Sequence, residues 1–96
     1  MHEVFKSQQA KNDLKEIYFY TFHKWGDKKA VEYLMQIDAG LQELINNPKL
    51  GKTRDYIREG YRSIHINRHV IFYIVEGSEI YVVRVLHERM LPSKHL

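Results

Sequence analysis

The chain contains no cysteine, which excludes a disulfide framework and any thiolate metal site. No apolar run approaches the ~18 residues that a membrane span requires. The N-terminus lacks the pattern of a secretory signal, and there is neither an internal repeat nor a low-complexity tract. These absences suit a reducing compartment, and the chain reads as cytosolic. Strong charge of one sign is also missing. The net charge is +3 with a pI near 9.2, and the Lys and Arg residues are spread along the chain rather than gathered on one face. A nucleic-acid binder usually concentrates them, so the balance fits an acidic protein partner equally well.

What is present is an ordinary apolar share of 44% in 96 residues. That supports one domain, residues 1–96, with a modest core. Val4-Phe5 predicts a short first strand. Ser7 suits the N-cap of a helix running to about Trp25, along which Ala10, Leu14, Ile17, Tyr18, Thr21 and Trp25 form one apolar stripe. Tyr18, Phe22 and Trp25 are expected to serve core and hinge packing. Gly26 supplies a stop and Asp27 a second N-cap. Ala30, Leu34, Ile37, Leu41 and Leu44 form a tighter stripe that ends at Asn46-Asn47-Pro48, because proline disfavours helical geometry in the residue before it. A break this short predicts an antiparallel helical hairpin. Gly40 inside the second helix should cost ~1 kcal/mol against alanine, so packing must hold that helix. Lys49 to Gly60 reads as a surface loop.

Three β-rich runs follow, joined by turn signals at Asn67-Arg68 and Gly77-Ser78. Two-residue turns there would pair Ile66 with His69, Ile64 with Ile71 and Arg62 with Tyr73, then Val75 with Ile80, Tyr73 with Val82 and Ile71 with Arg84. Paired residues share a face, so this register sets Arg62, Tyr73 and Arg84 together. Both faces are mostly apolar, and the hairpin can cover only one. The other is a candidate partner surface. Arg84, a charge within a row of valines, is costly unless it faces water or a partner. A structural role against a carbonyl or carboxylate and a partner-binding role are both open. Arg62 reads as a rim residue.

The six histidines do not make a metal site. His65 and His69 straddle a turn and fall on opposite faces, and no pair has the i, i+4 helical spacing of a zinc protease. No cofactor is expected. The fold class these patterns give is α+β: an N-terminal strand at one edge, and an antiparallel helical hairpin packed on a mainly antiparallel sheet that ends in a three-stranded meander.

The order of these elements, ending in Arg84-Val85-Leu86-His87, resembles the RelE/ParE superfamily of bacterial toxin–antitoxin pairs. Features similar to the ParE branch are Ala10 with Asp13-Leu14, Trp25-Gly26, Asn47-Pro48 with Leu50-Gly51, Gly60-Tyr61-Arg62, Ile71-Phe72-Tyr73 and Val83-Arg84-Val85-Leu86-His87. The likeness spans nearly the whole chain, and its specificity lies in order and spacing rather than in any one motif.

The resemblance implies a small cytosolic toxin neutralised by a ParD-like antitoxin that wraps around it. ParE-type toxins act on DNA gyrase, and RelE-type toxins cut messenger RNA on the ribosome. Fold alone does not choose between them. Metal-free RNA cleavage needs a base for the 2′-hydroxyl, cations for the phosphorane and an acid for the leaving oxygen. RelE-like toxins supply these from basic sheet residues and a C-terminal His-Arg followed by tyrosine. Here Glu88 follows His87, the tail lacks tyrosine, and Val70 stands where RelE-like proteins often place arginine. These departures favour the non-enzymatic gyrase inhibitor, with no catalytic residues, no membrane association and no sequence-specific nucleic-acid binding by the toxin alone. The alternatives are an endoribonuclease using Arg62, Arg84 and His87, and a detoxified binding module. The candidate partner- or target-binding residues are Arg62, Arg84, His87 and Arg89.

Overall fold

The structure, a computed structural model, describes residues 2–96. Strand β1 (Glu3–Lys6) leads into helices α1 (Gln8–Trp25) and α2 (Asp27–Asn46), followed by the short strand β2 (Lys52–Thr53) and the meander β3 (Arg62–Ile66), β4 (His69–Glu76) and β5 (Glu79–His87). A 3₁₀ turn, Pro92–Lys94, lies in the C-terminal tail. The five strands form one sheet in the order β1-β5-β4-β3-β2. β1 runs parallel to β5 at one edge, and every other pairing is antiparallel. The expected α+β architecture is therefore the observed one. Within the predicted loop, Lys52 and Thr53 add a small second edge strand.

Ser7 caps α1: its Oγ accepts from the Ala10 N–H at 2.9 Å and donates to the Val83 carbonyl at 2.6 Å. Asp27 is the first helical residue of α2 rather than its cap, and the cap position is Gly26 at φ 94°. The Gly26 N–H bonds back to the Phe22 carbonyl at 2.8 Å, so the break needs no intervening loop. The core lies between hairpin and sheet, built from Ile17, Ile37, Leu41 and Leu44 against Ile71, Tyr73, Ile80, Val82 and Val85. Leu34 is only half-buried, in contrast to Leu41. A Cβ built on Gly40 would lie 2.0 Å from the tip of Ile66. The glycine that weakens α2 locally is what lets it approach β3.

The β3–β4 register is the one that the Asn67-Arg68 turn predicts, with Asn67 at φ 53°. The β4–β5 register begins as expected at Val75–Ile80 and Tyr73–Val82, then shifts. Phe72, not a residue of the other face, lies opposite Arg84, and Ile71 lies opposite Val85. Val83 is thus the extra residue of a bulge. The bulge separates Arg84 from Arg62 and Tyr73, which corrects the expected grouping. A two-residue turn fixes register only until a bulge intervenes.

The second sheet face also departs from expectation. Phe72, Leu86 and Ser63 are buried on it. A small cavity of about 170 Å³ there is walled by Arg54, Phe72, Leu86, Met90 and Pro92, and the Arg54 Nε donates to Ser63 Oγ at 2.8 Å. The loop after β2 and the C-terminal tail fold back over strand residues that alternation alone leaves bare.

Candidate functional site

The four residues singled out in the sequence fall into three settings. β1 covers only the first half of β5, so among the described residues the outer edge of β5 has no neighbouring strand from Val83 onward. An open edge leaves unpaired backbone groups, and α1 supplies side chains in their place. Ser7 takes the Val83 carbonyl, and Asp13 Oδ2 accepts from the Val85 N–H at 3.0 Å. Arg84 closes the arrangement. Its Nε donates to Asp13 Oδ2 at 2.8 Å, its Nη2 to Asp13 Oδ1 at 2.9 Å, and its Nη1 to the His95 carbonyl at 2.8 Å. This forked geometry is the strong form of a carboxylate–guanidinium bond. The hydrogen bond to Asp13 raises the Arg84 pKa above its ordinary value, against the opposing effect of burial. Helix, strand and tail thus meet on one guanidinium.

Arg62 sits across the sheet. Its Nη1 donates to the Gly51 carbonyl at 2.8 Å. Beside it the Tyr73 hydroxyl donates to the Pro48 carbonyl at 2.8 Å and accepts from the Gly51 N–H at 2.9 Å. Burial first raises the Tyr73 pKa, while the Gly51 N–H and Arg62 oppose that rise. A side chain at Gly51 would meet the Tyr73 hydroxyl at 2.6 Å and the Ser63 carbonyl at 2.7 Å. The loop after α2 is therefore fastened to the sheet at a point that admits only glycine.

His87 lines a third place, a cleft of about 770 Å³ between the hairpin and the far end of the sheet, and Arg89 follows it as an exposed residue. Tyr20, Lys24 and Trp25 of α1, Tyr33 of α2, and His69 and His87 of the sheet line its walls. His69 faces His87 directly across the β4–β5 ladder, with ring centroids 5.3 Å apart. The His69 Nδ1 is 2.5 Å from the Tyr33 hydroxyl, which also receives the Arg68 N–H at 3.3 Å. Burial, then repulsion from His87, lowers the His69 pKa to about 4, with Glu88 and Asp13 pulling the other way. His69 is accordingly neutral near pH 7. Burial likewise raises the Tyr33 pKa.

His87 Nδ1 accepts from the Arg89 N–H at 3.2 Å, and Glu88 turns to His65 Nε2 at 2.8 Å. Among the described residues no group of three or more His, Asp or Glu side chains is placed to hold a metal ion, and no helix is long and apolar enough to cross a membrane. The structure does not bring Arg62, Arg84 and His87 to one point. It adds Asp13, Tyr33 and His69, which the sequence reading did not rank. Asp13 lies 71 residues from Arg84, and nothing local marks the pair.

The expected packing role of the α1 aromatics holds only in part. Tyr18 is half-buried, but Phe22 and Trp25 are 41% and 64% exposed. The helical period carries them beyond the end of the sheet, where no element covers them.

Comparison with known proteins agrees with this geometry. Residues 4–92 match the family described as the ParE toxin of the type II toxin–antitoxin system parDE. Toxin ParE1 of Mycobacterium tuberculosis is 38% identical over 91 residues, covering 94% of this chain and 93% of that one. Toxin ParE1 of Caulobacter vibrioides is 34% identical over 90 residues, with the same coverage of 94% and 93%. The chromosomal ParDE TA system from P. aeruginosa contains a chain of the same fold, with a TM-score of 0.79 at 22% identity over 91% of this chain and 96% of that one. With one family spanning both edges of the sheet, the hairpin and the meander, this chain belongs to the ParE toxins of type II toxin–antitoxin systems.

Proposed function

We propose that this toxin acts in the cytoplasm as a non-enzymatic inhibitor of DNA gyrase, held inactive by a ParD-like antitoxin. The observation that carries the reading is the engagement of every nitrogen of Arg84. Each of its three nitrogens donates to Asp13 or to the His95 carbonyl. A guanidinium committed in this way is poorly disposed to stabilise charge that develops on a transferring phosphate. Arg62 is similarly drawn to loop carbonyls, and a carboxylate, Glu88, follows His87. In this reading Arg62 and Arg84 act through structure, fixing the loop and the tail. His87 and Arg89 contribute contacts near the cleft.

The test sets two assays on one purified preparation. The chain should block supercoiling of relaxed plasmid by DNA gyrase, or trap cleaved plasmid, and leave ribosome-bound message intact. Codon-spaced cuts in the message that disappear in Arg62→Ala or His87→Ala would replace this reading with the endoribonuclease.

A further inference from the structure

Between Thr21 and Ala30 no residue is buried, and all except Gly26 are exposed. Both helices lose their covered face there, so the hairpin ends in a projecting tip. Five of the twelve aromatic side chains lie within Tyr18–Trp25 of α1, and four of them are open to solvent: Phe19 52%, Tyr20 66%, Phe22 41% and Trp25 64%. Phe22 and Trp25 belong to the tip itself, and Phe19 and Tyr20 lie just below it on α1; large exposed rings close together mark an interaction surface. Aromatic anchors ringed by polar residues have the composition of an interface centre.

Side-chain contacts also brace the tip. Phe22 stacks on Tyr18 with centroids 6.0 Å apart, and the Tyr18 hydroxyl donates to Asp27 at 2.6 Å across the break. Lys24 Nζ lies 5.6 Å from the Tyr20 ring and 5.7 Å from the Trp25 ring. A surface ordered before binding loses less entropy on binding.

Charge and shape narrow the occupant. Lys24 and Lys28 form no ion pair among the described residues, and Glu32 lies 3.9 Å from Lys29; Asp27 keeps its charge while accepting from Tyr18, so three lysines stand against two carboxylates. The tip thus offers unmatched positive charge beside apolar rings, the complement of an acidic, apolar recess. The cleft behind it carries Glu16 and Glu32 among its cations, so a phosphate backbone running from tip to cleft would meet carboxylates. A convex end suits a recess on a large protein rather than an extended strand of chain.

We propose that this aromatic tip is the surface with which the toxin engages its target protein, seating Phe22 and Trp25 in an apolar recess bordered by carboxylates that pair with Lys24 and Lys28. The inference rests on the toxin reading above and adds a mechanism of neutralisation. Tyr20, Lys24 and Trp25 belong to both tip and cleft. A partner seated in the cleft therefore excludes the target from the tip.

The test uses the full chain carrying Phe22→Ala together with Lys28→Glu, two tip residues that do not line the cleft. Three readouts are compared with wild type: growth arrest on induction, inhibition of purified DNA gyrase, and affinity for the cognate antitoxin. The proposal expects growth arrest lost, gyrase inhibition weakened at least tenfold, melting temperature retained, and antitoxin affinity within a few-fold. Undiminished growth arrest by the variant would overturn it. Loss of antitoxin affinity at unchanged melting temperature would also overturn it, assigning the tip to the antitoxin. So would retention of a labelled single-stranded oligonucleotide by wild type alone, which would make the tip a nucleic-acid platform. Growth arrest that depends on the tip, with gyrase untouched even by wild type, would uphold the tip and reject gyrase as the target. A wild-type chain that never arrests growth would overturn both.

Discussion

At the outer edge of β5 an arginine set among valines is enclosed, with each of its nitrogens matched. At the tip of the hairpin and just below it four aromatic rings stand in water. Residue type alone would place them the other way round. The arginine is inside because a strand edge left open by the short β1 needs partners, and α1 delivers a carboxylate that serves strand and guanidinium together. Phe22 and Trp25 are outside because the helices outrun the sheet that covers the rest of their apolar stripes. One region resolves an apparent misfit within the fold, whereas the other leaves its misfit unresolved. The difference separates architecture from binding surface.

The comparison breaks first at Arg84. Arg84→Ala leaves Asp13 half-enclosed with only the Val85 N–H, and loss of one member of such a pair should cost about 3 kcal/mol. Urea denaturation reads this directly, and a midpoint equal to wild type would show that the pair is ornamental. Tyr73→Phe tests the opposite side of the sheet. It removes the bonds to Pro48 and Gly51 but keeps the ring, and should cost roughly 1–3 kcal/mol with faster proteolysis of the loop after α2. Equal proteolysis rates would mean that Arg62 suffices to hold the loop.

The cleft gives a pH-dependent effect. His69 has a pKa near 4 in the fold against ~6.5 in the unfolded chain, so the unfolded chain binds the proton first as acid is added. Stability should be full above about pH 6.5 and fall progressively toward about pH 4. His69→Gln should remove that part of the slope. Denaturant midpoints across this window measure it, and parallel curves for the two proteins would count against a buried neutral His69. Smallest of all, Trp25→Ala should change stability by less than about 0.5 kcal/mol, because a ring that buries little loses little. A calorimetric loss of several degrees would place Trp25 in the core and weaken its assignment to a partner.

The sequence by itself determined the elements. Ser7 as a cap, the stripe from Ala30 to Leu44, Gly26 as a break and the Asn67-Arg68 turn all follow from interactions within a few residues, and local patterning reports such interactions faithfully. It also carried the order of elements from which family resemblance could be read. Tertiary structure decided the rest, for reasons of distance and coverage. Whether Arg84 faces water or a carboxylate depended on a one-residue bulge and on Asp13, 71 positions away. Whether the second sheet face was bare depended on a tail whose sequence has no period. Leu14, Phe22 and Trp25 recur at helical spacing with equal clarity, yet only Leu14 packs against the core. Periodicity fixes the side of a helix on which a residue lies; the extent of the opposing sheet decides whether anything is there to meet it.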